Sequence, residues 1–272
     1  MPVSTEKNFD RKFSLFKEWL SSQKQFESKS LVIEPHESSI ASGFSNETFV
    51  FSIIDDIELK KLVLRLKPSG YQVFPDYNLK LQADIMRVLN NKGFPTPNIL
   101  LYESDEDIIG SEFYLMDFID GEAPSDNPPY HMDLEGMVGK ATKENRRKIW
   151  TEWLYYLNKL HLLNFKELQL SELDKKYSNK DPLGIDIEYY QNFLDWGMEG
   201  ETNGLCEDVI DWLKINKPKT FNEGKLCWGD SRPGNILYKN FKATALLDWE
   251  MATFGDPISD ICLLYTSPSP RD

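Results

Sequence analysis

The chain has 272 residues, 40% hydrophobic and 13% aromatic, so it is long enough to bury a sizeable core in one domain or two lobes. Its formal charge of −13 at pH 7 argues against nucleic acid or an anionic membrane surface as a partner, because both attract basic patches. No run reaches the roughly 18 apolar residues of a membrane span. The polar segment 1–11 lacks the apolar region of a signal peptide, so a cytoplasmic location is expected.

The N-terminal segment is predicted to form a helix. Four apolar residues recur there at near-helical spacing: Phe9, Phe13, Phe16 and Leu20. This stripe predicts an amphipathic helix whose apolar face packs against a core.

A loop of small residues, 38–46, leads into a β-rich segment. Small side chains allow backbone N–H groups to approach phosphate oxygens, and Ser45 and Asn46 supply further donors. The stretch therefore predicts a loop that covers a nucleotide. It has one glycine and matches neither of the common glycine-rich phosphate motifs, so a plain hairpin turn remains the alternative.

An alternating strand, a helix and a second strand follow. Residues 61–67 alternate, which places the leucines on one face of a strand and Arg65 on the other. Residues 76–89 have helical periodicity, which the Gly- and Pro-containing stretch 91–97 ends. Residues 112–121 indicate a strand that leads out of the first lobe, although a plain strand-to-loop transition would give the same pattern.

The second part of the chain begins with a linker-like segment, 122–129, and is predicted to be mainly helical. Within the helix predicted over 143–163, the buried stripe consists of Ile149, Trp153, Leu157 and Leu160. Residues 181–213 carry many acids and no Lys or Arg. They predict a face for an amine-bearing substrate, with a solvated acidic helix face as the alternative.

The most informative stretch is 226–238, Leu-Cys-Trp-Gly-Asp-Ser-Arg-Pro-Gly-Asn-Ile-Leu-Tyr. Asp230 precedes Asn235 by five positions with a Pro-Gly turn between them, and the hairpin predicted next delivers Asp248. Transfer of a phosphoryl group from ATP to a hydroxyl requires a carboxylate beside the hydroxyl and oxygen ligands for Mg²⁺. These three residues supply both parts. A simple turn between strands would explain the Pro-Gly pair but not Asp248.

With these motifs the chain resembles the aminoglycoside phosphotransferase family of kinase-like enzymes, over most of residues 30–264. The resemblance is strongest to the branch related to kinase domains attached to acyl-CoA dehydrogenases. The family signature is His-Gly-Asp, four residues, Asn, and a hydrophobic strand that ends in Asp. Trp228 departs from it where the family has a histidine that supports the loop. The resemblance implies an α+β, bilobal protein-kinase-like fold, with a small antiparallel β-sheet N-lobe, a mostly helical C-lobe, and ATP and Mg²⁺ between them.

The resemblance also implies roles in catalysis. Asp230 would accept or orient the hydroxyl proton of the substrate, and Asn235 and Asp248 would hold Mg²⁺. Arg232 would neutralise charge on the moving phosphoryl group, with a loop-stabilising ion pair as the alternative. His161 and Asp260 are expected to be structural, Asp260 through hydrogen bonds to the catalytic loop.

For the nucleotide, the resemblance places Arg65 where kinases have the strand cation that binds the non-transferred phosphates, with a solvated charge on the strand as the alternative. Gln82 stands where the family often has a glutamate that pairs with this cation. Backbone groups near Asp117 and Phe118 are expected to hydrogen-bond adenine.

The predicted division is a nucleotide-binding lobe with a hinge over 1–120, a catalytic and substrate lobe over 121–264, and a non-native-looking polar tail over 265–272. Family members continue with further helices at this end, so the second lobe is expected to be incomplete. The expected activity is ATP-dependent phosphorylation of a small-molecule hydroxyl. A hydroxyacyl compound, an aminoglycoside, another sugar or an amino alcohol remain open as acceptors, and a nucleotide-binding pseudokinase that regulates a partner is the alternative function.

Overall fold

A computed structural model gives the structure of the chain. It describes residues 5–24, 26, 32–35, 46–55, 58–68, 72–177, 181–218 and 224–266. Most of the predicted phosphate loop, including Ser45, lies outside these residues. The chain divides into two compact units. Unit 1 takes the described residues of Met1–Val73, Tyr77–Ala83 and Asn98–Phe118, and unit 2 those of Phe74–Asp76, Asp84–Pro97 and Ile119–Asp272.

Unit 1 consists of a helix, a sheet and the start of a second helix. The helices are α1 (Thr5–Ser22) and α2 (Leu79–Asn91), and the strands are β1 (Val32–Pro35), β2 (Glu47–Asp55), β3 (Glu58–Leu66), β4 (Ile99–Glu103) and β5 (Phe113–Asp117). The strands form one antiparallel sheet in the order β1-β2-β3-β5-β4. The residues of α2 after Ala83 group with unit 2.

An aromatic core lies where α1 packs on β2 and β5. The helix predicted at the N-terminus is confirmed, and Phe13, Phe16 and Leu20 from its stripe are buried. The ring of Phe16 lies 5.2 Å from that of Phe51 and 5.9 Å from that of Phe113, both edge to face, which is a favoured arrangement for aromatic pairs. Leu62, Leu64 and Leu66, which alternate along β3 on one face, join this core.

Local sequence signals set both ends of α2. The side chain of Asn78 caps its start by accepting a hydrogen bond from the N–H of Leu81 at 2.8 Å. At its end Gly93 has φ 73°, and the N–H of Phe94 donates to the carbonyl of Leu89 at 3.0 Å. A glycine with positive φ just beyond the last turn is a common helix stop. The helix predicted over 76–89 is therefore confirmed.

Unit 2 contains helices and two small sheets. The helices that follow α2 are α3 (Lys143–His161), α4 (Ser171–Tyr177), α5 (Pro182–Met198), α6 (Gly204–Asn216) and α7 (Ile258–Thr266). The two-stranded antiparallel sheets pair β6 (Lys225–Cys227) with β9 (Thr253–Gly255), and β7 (Ile236–Lys239) with β8 (Lys242–Leu246). The four residues predicted as the apolar stripe of α3 are its buried residues. The predicted α+β class is confirmed.

The hairpin of β7 and β8 is confirmed as well. Its turn residues are Asn240 and Phe241, with φ 53° and 62°. The segment predicted as a linker is tied to this hairpin, because the N–H of Glu122 donates to the carbonyl of Tyr238 at 2.9 Å and the N–H of Tyr238 donates back at 2.8 Å.

Of the predicted tail, Tyr265 and Thr266 belong to α7, and 267–272 lie outside the described residues. Among the helices that the structure describes, none has both the length and the apolar composition needed to cross a membrane.

Candidate active site

The loop between β6 and β7 carries the Asp-to-Asn motif and has an obligatory glycine directly before Asp230. Gly229 has φ 88°, and a Cβ there would lie 2.1 Å from the carbonyl oxygen of Met251. Another residue type would meet both backbone strain and this contact. Pro233–Asn235 then form one turn of 3₁₀-helix, in which the N–H of Asn235 donates to the carbonyl of Arg232 at 3.0 Å. The turn folds the loop back and brings Asn235 to Asp230.

Asp230, Arg232 and Asn235 form one hydrogen-bonded cluster. The Nδ2 of Asn235 donates to the carbonyl oxygen of Asp230 at 2.9 Å and to its Oδ2 at 2.8 Å. The Nε of Arg232 donates to the same Oδ2 at 2.9 Å. The Oδ1 of Asp230 accepts no hydrogen bond from any residue that the structure describes, and the side chain is 26% exposed. One oxygen of this carboxylate is therefore held, and the other is open.

The amide of Asn235 has a defined orientation. Because its Nδ2 donates twice to Asp230, its Oδ1 points away from that carboxylate, and no described residue donates to it. Amide and carboxylate oxygens are the kind of ligands that Mg²⁺ takes in proteins. The donor set of Asn235 and Asp248 thus fits a magnesium ion.

Arg232 bonds to two carboxylates. Its Nε bonds to Asp230 as described above. Its Nη1 lies 2.5 Å from the Oδ1 of Asp126, in the segment that precedes α3. Burial alone would lower the pKa of Arg232, but the two carboxylates outweigh burial and raise it. The guanidinium therefore stays charged at any physiological pH. Asp126 gave no signal in the sequence, where it sits in a linker-like stretch.

Asp248 lies next to this cluster through backbone contacts. It has φ 63°, a left-handed conformation that aspartate tolerates better than most residues. The N–H of the preceding Leu247 donates to the carbonyl of Asn235 at 2.9 Å. The indole Nε1 of Trp228 donates to the carbonyls of Leu247 at 2.9 Å and Asp248 at 3.1 Å. The two loops are thus joined at the residue predicted to hold metal.

Trp228, which departs from the family motif, is a well-packed part of the loop. Its side chain is 1% exposed and stacks on that of Trp249, with ring centroids 5.0 Å apart and an interplanar angle of 17°. The Nε1 of Trp249 donates to the carbonyl of Leu246 at 3.1 Å. The indole of Trp228 therefore packs against Trp249 and donates its N–H to the neighbouring loop.

Asp260 supports the loop that carries Asp230, as predicted. Its fully buried carboxylate accepts the N–H groups of Trp228 and Gly229, both at 2.8 Å. The Nε2 of His161 lies 2.8 Å from the Oδ2 of the same carboxylate. The helix-end histidine and Asp260 therefore hold the backbone just before Asp230.

The residues predicted to bind the nucleotide belong to unit 1. Arg65 lies on β3, paired in register with Tyr114 on β5. Asn46 immediately precedes β2 and is 2% exposed. Gln82 is buried and accepts a hydrogen bond of 3.4 Å from the hydroxyl of Tyr114, while its Nε2 donates to no residue in the described part of the chain.

The predicted hinge residues have their N–H groups engaged. The N–H of Asp117 donates to the carbonyl of Asn98 at 3.0 Å, and that of Phe118 to the carbonyl of Lys61 at 3.3 Å. The side chain of Asp117 pairs with Lys60 at 2.8 Å. Hydrogen bonds from this segment to adenine would therefore have to involve groups other than these two N–H donors.

A family model described as the phosphotransferase enzyme family, APH, matches residues 36–272. The chain belongs to this family. It is 32% identical over 234 residues to acyl-CoA dehydrogenase family member 10 of Mus musculus, covering 84% of this chain and 20% of that protein. It is 29% identical over 228 residues to family member 11 of Homo sapiens, covering 81% and 26%. The chain thus spans about a fifth to a quarter of the length of these relatives.

Solved structures share the fold of this APH-family chain. A protein of Ralstonia eutropha assigned to the aminoglycoside phosphotransferases superposes with a TM-score of 0.67 at 20% identity, over 94% of this chain and 71% of that one. The complex of APH(2")-IIa with streptomycin and ATP gives a TM-score of 0.59 at 17% identity, over 92% and 74%. The predicted kinase-like fold is confirmed.

The acidic stretch of this APH-family chain is mostly a surface feature. Its exposed acids lie on α5 and α6 and in the connection between them: Glu188, Asp195, Glu199, Glu201, Glu207, Asp208 and Asp211. Asp186 differs, because it is half-buried. Its Oδ1 accepts a hydrogen bond of 3.2 Å from the hydroxyl of Tyr177, which also contacts the hydroxyl of Thr253 on β9.

Burial raises the pKa of Asp186, and this predicts a pH-dependent stability. Since the folded state favours the protonated form, the stabilisation is fully present below the ordinary aspartate pKa and is lost as pH rises through the raised pKa. Asp186→Asn should therefore raise the thermal unfolding midpoint near pH 7, with the gain shrinking toward about pH 4. The exposed Asp208→Asn is the control. Equal effects of the two substitutions at both pH values would contradict the prediction.

Proposed function

We propose that this chain transfers the γ-phosphoryl group of ATP to a hydroxyl of a small molecule. The arrangement of Asp230 carries the proposal: Arg232 and Asn235 hold its Oδ2, and its Oδ1 is open. A substrate hydroxyl that donates to Oδ1 would be oriented to attack the γ-phosphorus as its bond to the leaving ADP breaks, and would pass its proton to the carboxylate. Membership of a phosphotransferase family supports the same reaction class.

The fit of Asn235 and Asp248 to Mg²⁺ supports a metal-dependent reaction. When bound, magnesium would offset the negative charge that develops on the phosphate oxygens during transfer. The chain would contribute the amide oxygen of Asn235 and the carboxylate of Asp248. Trp228 would keep the backbone of Asp248 in place through its indole N–H.

Arg65 and Asn46 are the described residues that we assign to the nucleotide phosphates, with Ser45 next to Asn46 in sequence. A guanidinium can bind phosphate through two parallel hydrogen bonds. Backbone groups near Asp117 and Phe118 are assigned to adenine. Family structures determined with ATP, and with ADP and hygromycin B, support a nucleotide as cosubstrate.

A hydroxyacyl compound is the acceptor that the relatives favour. The two relatives described above carry the name acyl-CoA dehydrogenase, and a module within such a protein would act on a hydroxyl of the same kind of acyl chain. The solvent exposure of the acidic stretch gives an amine-bearing acceptor less support than the sequence did. An aminoglycoside remains the comparison substrate.

Asp248→Asn tests the metal assignment. Asparagine keeps the volume of the side chain and tolerates the left-handed backbone, so the change removes mainly the negative charge. Mg²⁺-dependent ATP affinity should fall about tenfold or more, since a charged oxygen ligand of the cation is lost. The measurement is an ATP titration followed by thermal unfolding with Mg²⁺ and with EDTA. Unchanged affinity would remove Asp248 from metal binding.

Transfer of label from γ-labelled ATP tests the function as a whole. The chain is incubated with Mg²⁺ and either a hydroxyacyl-CoA, an aminoglycoside or water alone, and each product is measured. We expect label on the hydroxyacyl compound, and competition by free CoA but not by free aminoglycoside. Label on the aminoglycoside would correct the acceptor class. Nucleotide binding without transfer to any acceptor or to water would favour a pseudokinase.

A further inference from the structure

Asp126 reaches the catalytic loop from a part of the chain 104 positions before Asp230. Its Oδ1 lies 2.5 Å from the Nη1 of Arg232, whose Nε donates to the Oδ2 of Asp230 at 2.9 Å. The guanidinium therefore links two carboxylates, one on the catalytic loop and one outside it. The sequence motif contains Asp230 and Arg232 but not Asp126.

The surroundings of Asp126 fix its approach to the loop. Pro124 and Pro233 line one small apolar recess together with Tyr130, Val138, Ile149 and Trp150, so the two segments pack together. At position 234 a Cβ would lie 2.8 Å from the Oδ1 of Asp126 and 3.2 Å from the Nη1 of Arg232. Gly234 thus leaves room for the ion pair.

Asp230 and Arg232 form one hydrogen bond, fewer than an arginine and a carboxylate usually form. Arginine and carboxylate tend to join through two parallel hydrogen bonds that engage both oxygens. Here only Nε donates to Asp230, at Oδ2, while Nη1 is directed to Asp126. The Nη2 of Arg232 has no hydrogen-bond partner within the described ranges of the chain. The second oxygen of Asp230 consequently stays open.

We infer that Asp126 is a positioning residue, which holds Arg232 on one oxygen of Asp230 so that the other oxygen can receive the substrate hydroxyl. The inference rests on the proposed function. Without Asp126, Arg232 would close on both oxygens of Asp230 and compete with the hydroxyl for Oδ1. With Asp126 in place, Nη2 remains available to an oxygen of the transferred phosphoryl group.

Steady-state turnover of ATP with water as acceptor tests the catalytic part. Asp126→Ala should lower kcat about tenfold or more and leave the KM for ATP within about twofold, because it misplaces a group at the reacting atoms and not at the nucleotide. Glu135→Ala is the matched control. Glu135 lies in the same segment, is exposed and pairs with Lys140. A wild-type rate in Asp126→Ala would overturn the inference.

An Arg232→Lys background separates positioning from a general structural role. Lysine cannot form the two-bond fork, so adding Asp126→Ala should have at most about a twofold further effect. An undiminished loss in the lysine background would mean that Asp126 does not act through Arg232, and the inference would be wrong.

The NMR signal of the Arg232 Nε–H gives a readout that needs no turnover, since Arg232→Lys identifies it by removing it. Asp126→Ala should shift this signal, and Glu135→Ala should not. An unshifted signal in Asp126→Ala would show that Asp126 does not position the Arg232 guanidinium, whatever the activity of the variant. Absence of ATP turnover by the unaltered chain, both with water and with every hydroxyl acceptor tested, would instead overturn the proposed function, and the catalytic part of this inference with it.

Discussion

Asp230→Ala is expected to reduce phosphoryl transfer about 10²- to 10⁴-fold while Mg²⁺-dependent ATP binding stays largely intact. The substitution removes the open Oδ1 and with it the acceptor for the substrate proton. It leaves Asn235 and Asp248 in place for the cation. Turnover measures the first effect, and the ATP-induced rise of the unfolding midpoint measures the second.

The control for this change is Asp211→Ala on α6, whose carboxylate is exposed and pairs with Lys214 at 3.6 Å. Its turnover should match that of the unaltered chain. Retained turnover in Asp230→Ala would remove Asp230 from its proposed role. If Asp230→Ala lost ATP binding as well as turnover, the whole loop would have rearranged. Asp230→Asn would test this, because it should then restore ATP binding but not turnover.

Short-range patterns in the sequence predicted most of the fold. The stripe from Ile149 to Leu160 predicted α3 and its buried face, because helical periodicity depends only on residues three or four positions apart. The apolar alternation after Asn235 predicted the hairpin for the same reason. The spacing of Asp230 and Asn235 predicted a cluster that the 3₁₀ turn between them forms.

Contacts between distant segments could not be predicted in this way. Asp126 lies in a segment without periodicity, and its ion pair with Arg232 depends on how that segment packs against the loop. The N–H groups of Asp117 and Phe118 donate to the carbonyls of Asn98 and Lys61. These partners depend on the register of the strands, which the sequence alone does not give. A search for acids able to pair with an arginine inside a catalytic motif is the signal that would have pointed to Asp126.

Trp228 illustrates how a departure from a motif can preserve its purpose. The family has histidine at this position, and a sequence comparison alone raises doubt about loop packing. In the structure the indole N–H reaches the carbonyls of Leu247 and Asp248, and the ring stacks on Trp249. Trp249 follows Asp248 directly. The indole of Trp228, which is larger than a histidine ring, therefore stacks on a residue of the same loop to which it donates its hydrogen bonds.

Trp228→Phe should therefore weaken Mg²⁺-dependent ATP binding and lower stability by about 1–3 kcal/mol. Phenylalanine keeps a ring against Trp249 but removes the donor, which leaves the half-buried carbonyls of Leu247 and Asp248 without it. Unfolding in urea measures stability, and ATP titration with and without Mg²⁺ measures binding.

Trp249→Phe is the matched control, because it also removes one indole N–H, bonded there to the carbonyl of Leu246. It should lower stability by a similar amount and affect Mg²⁺-dependent binding less, since its donor does not reach Asp248. Equal losses of binding in the two variants would mean that the Trp228 indole acts only through packing. Trp228→Ala, which empties a fully buried site, should cost about 3–5 kcal/mol and sets the scale for complete loss of this support.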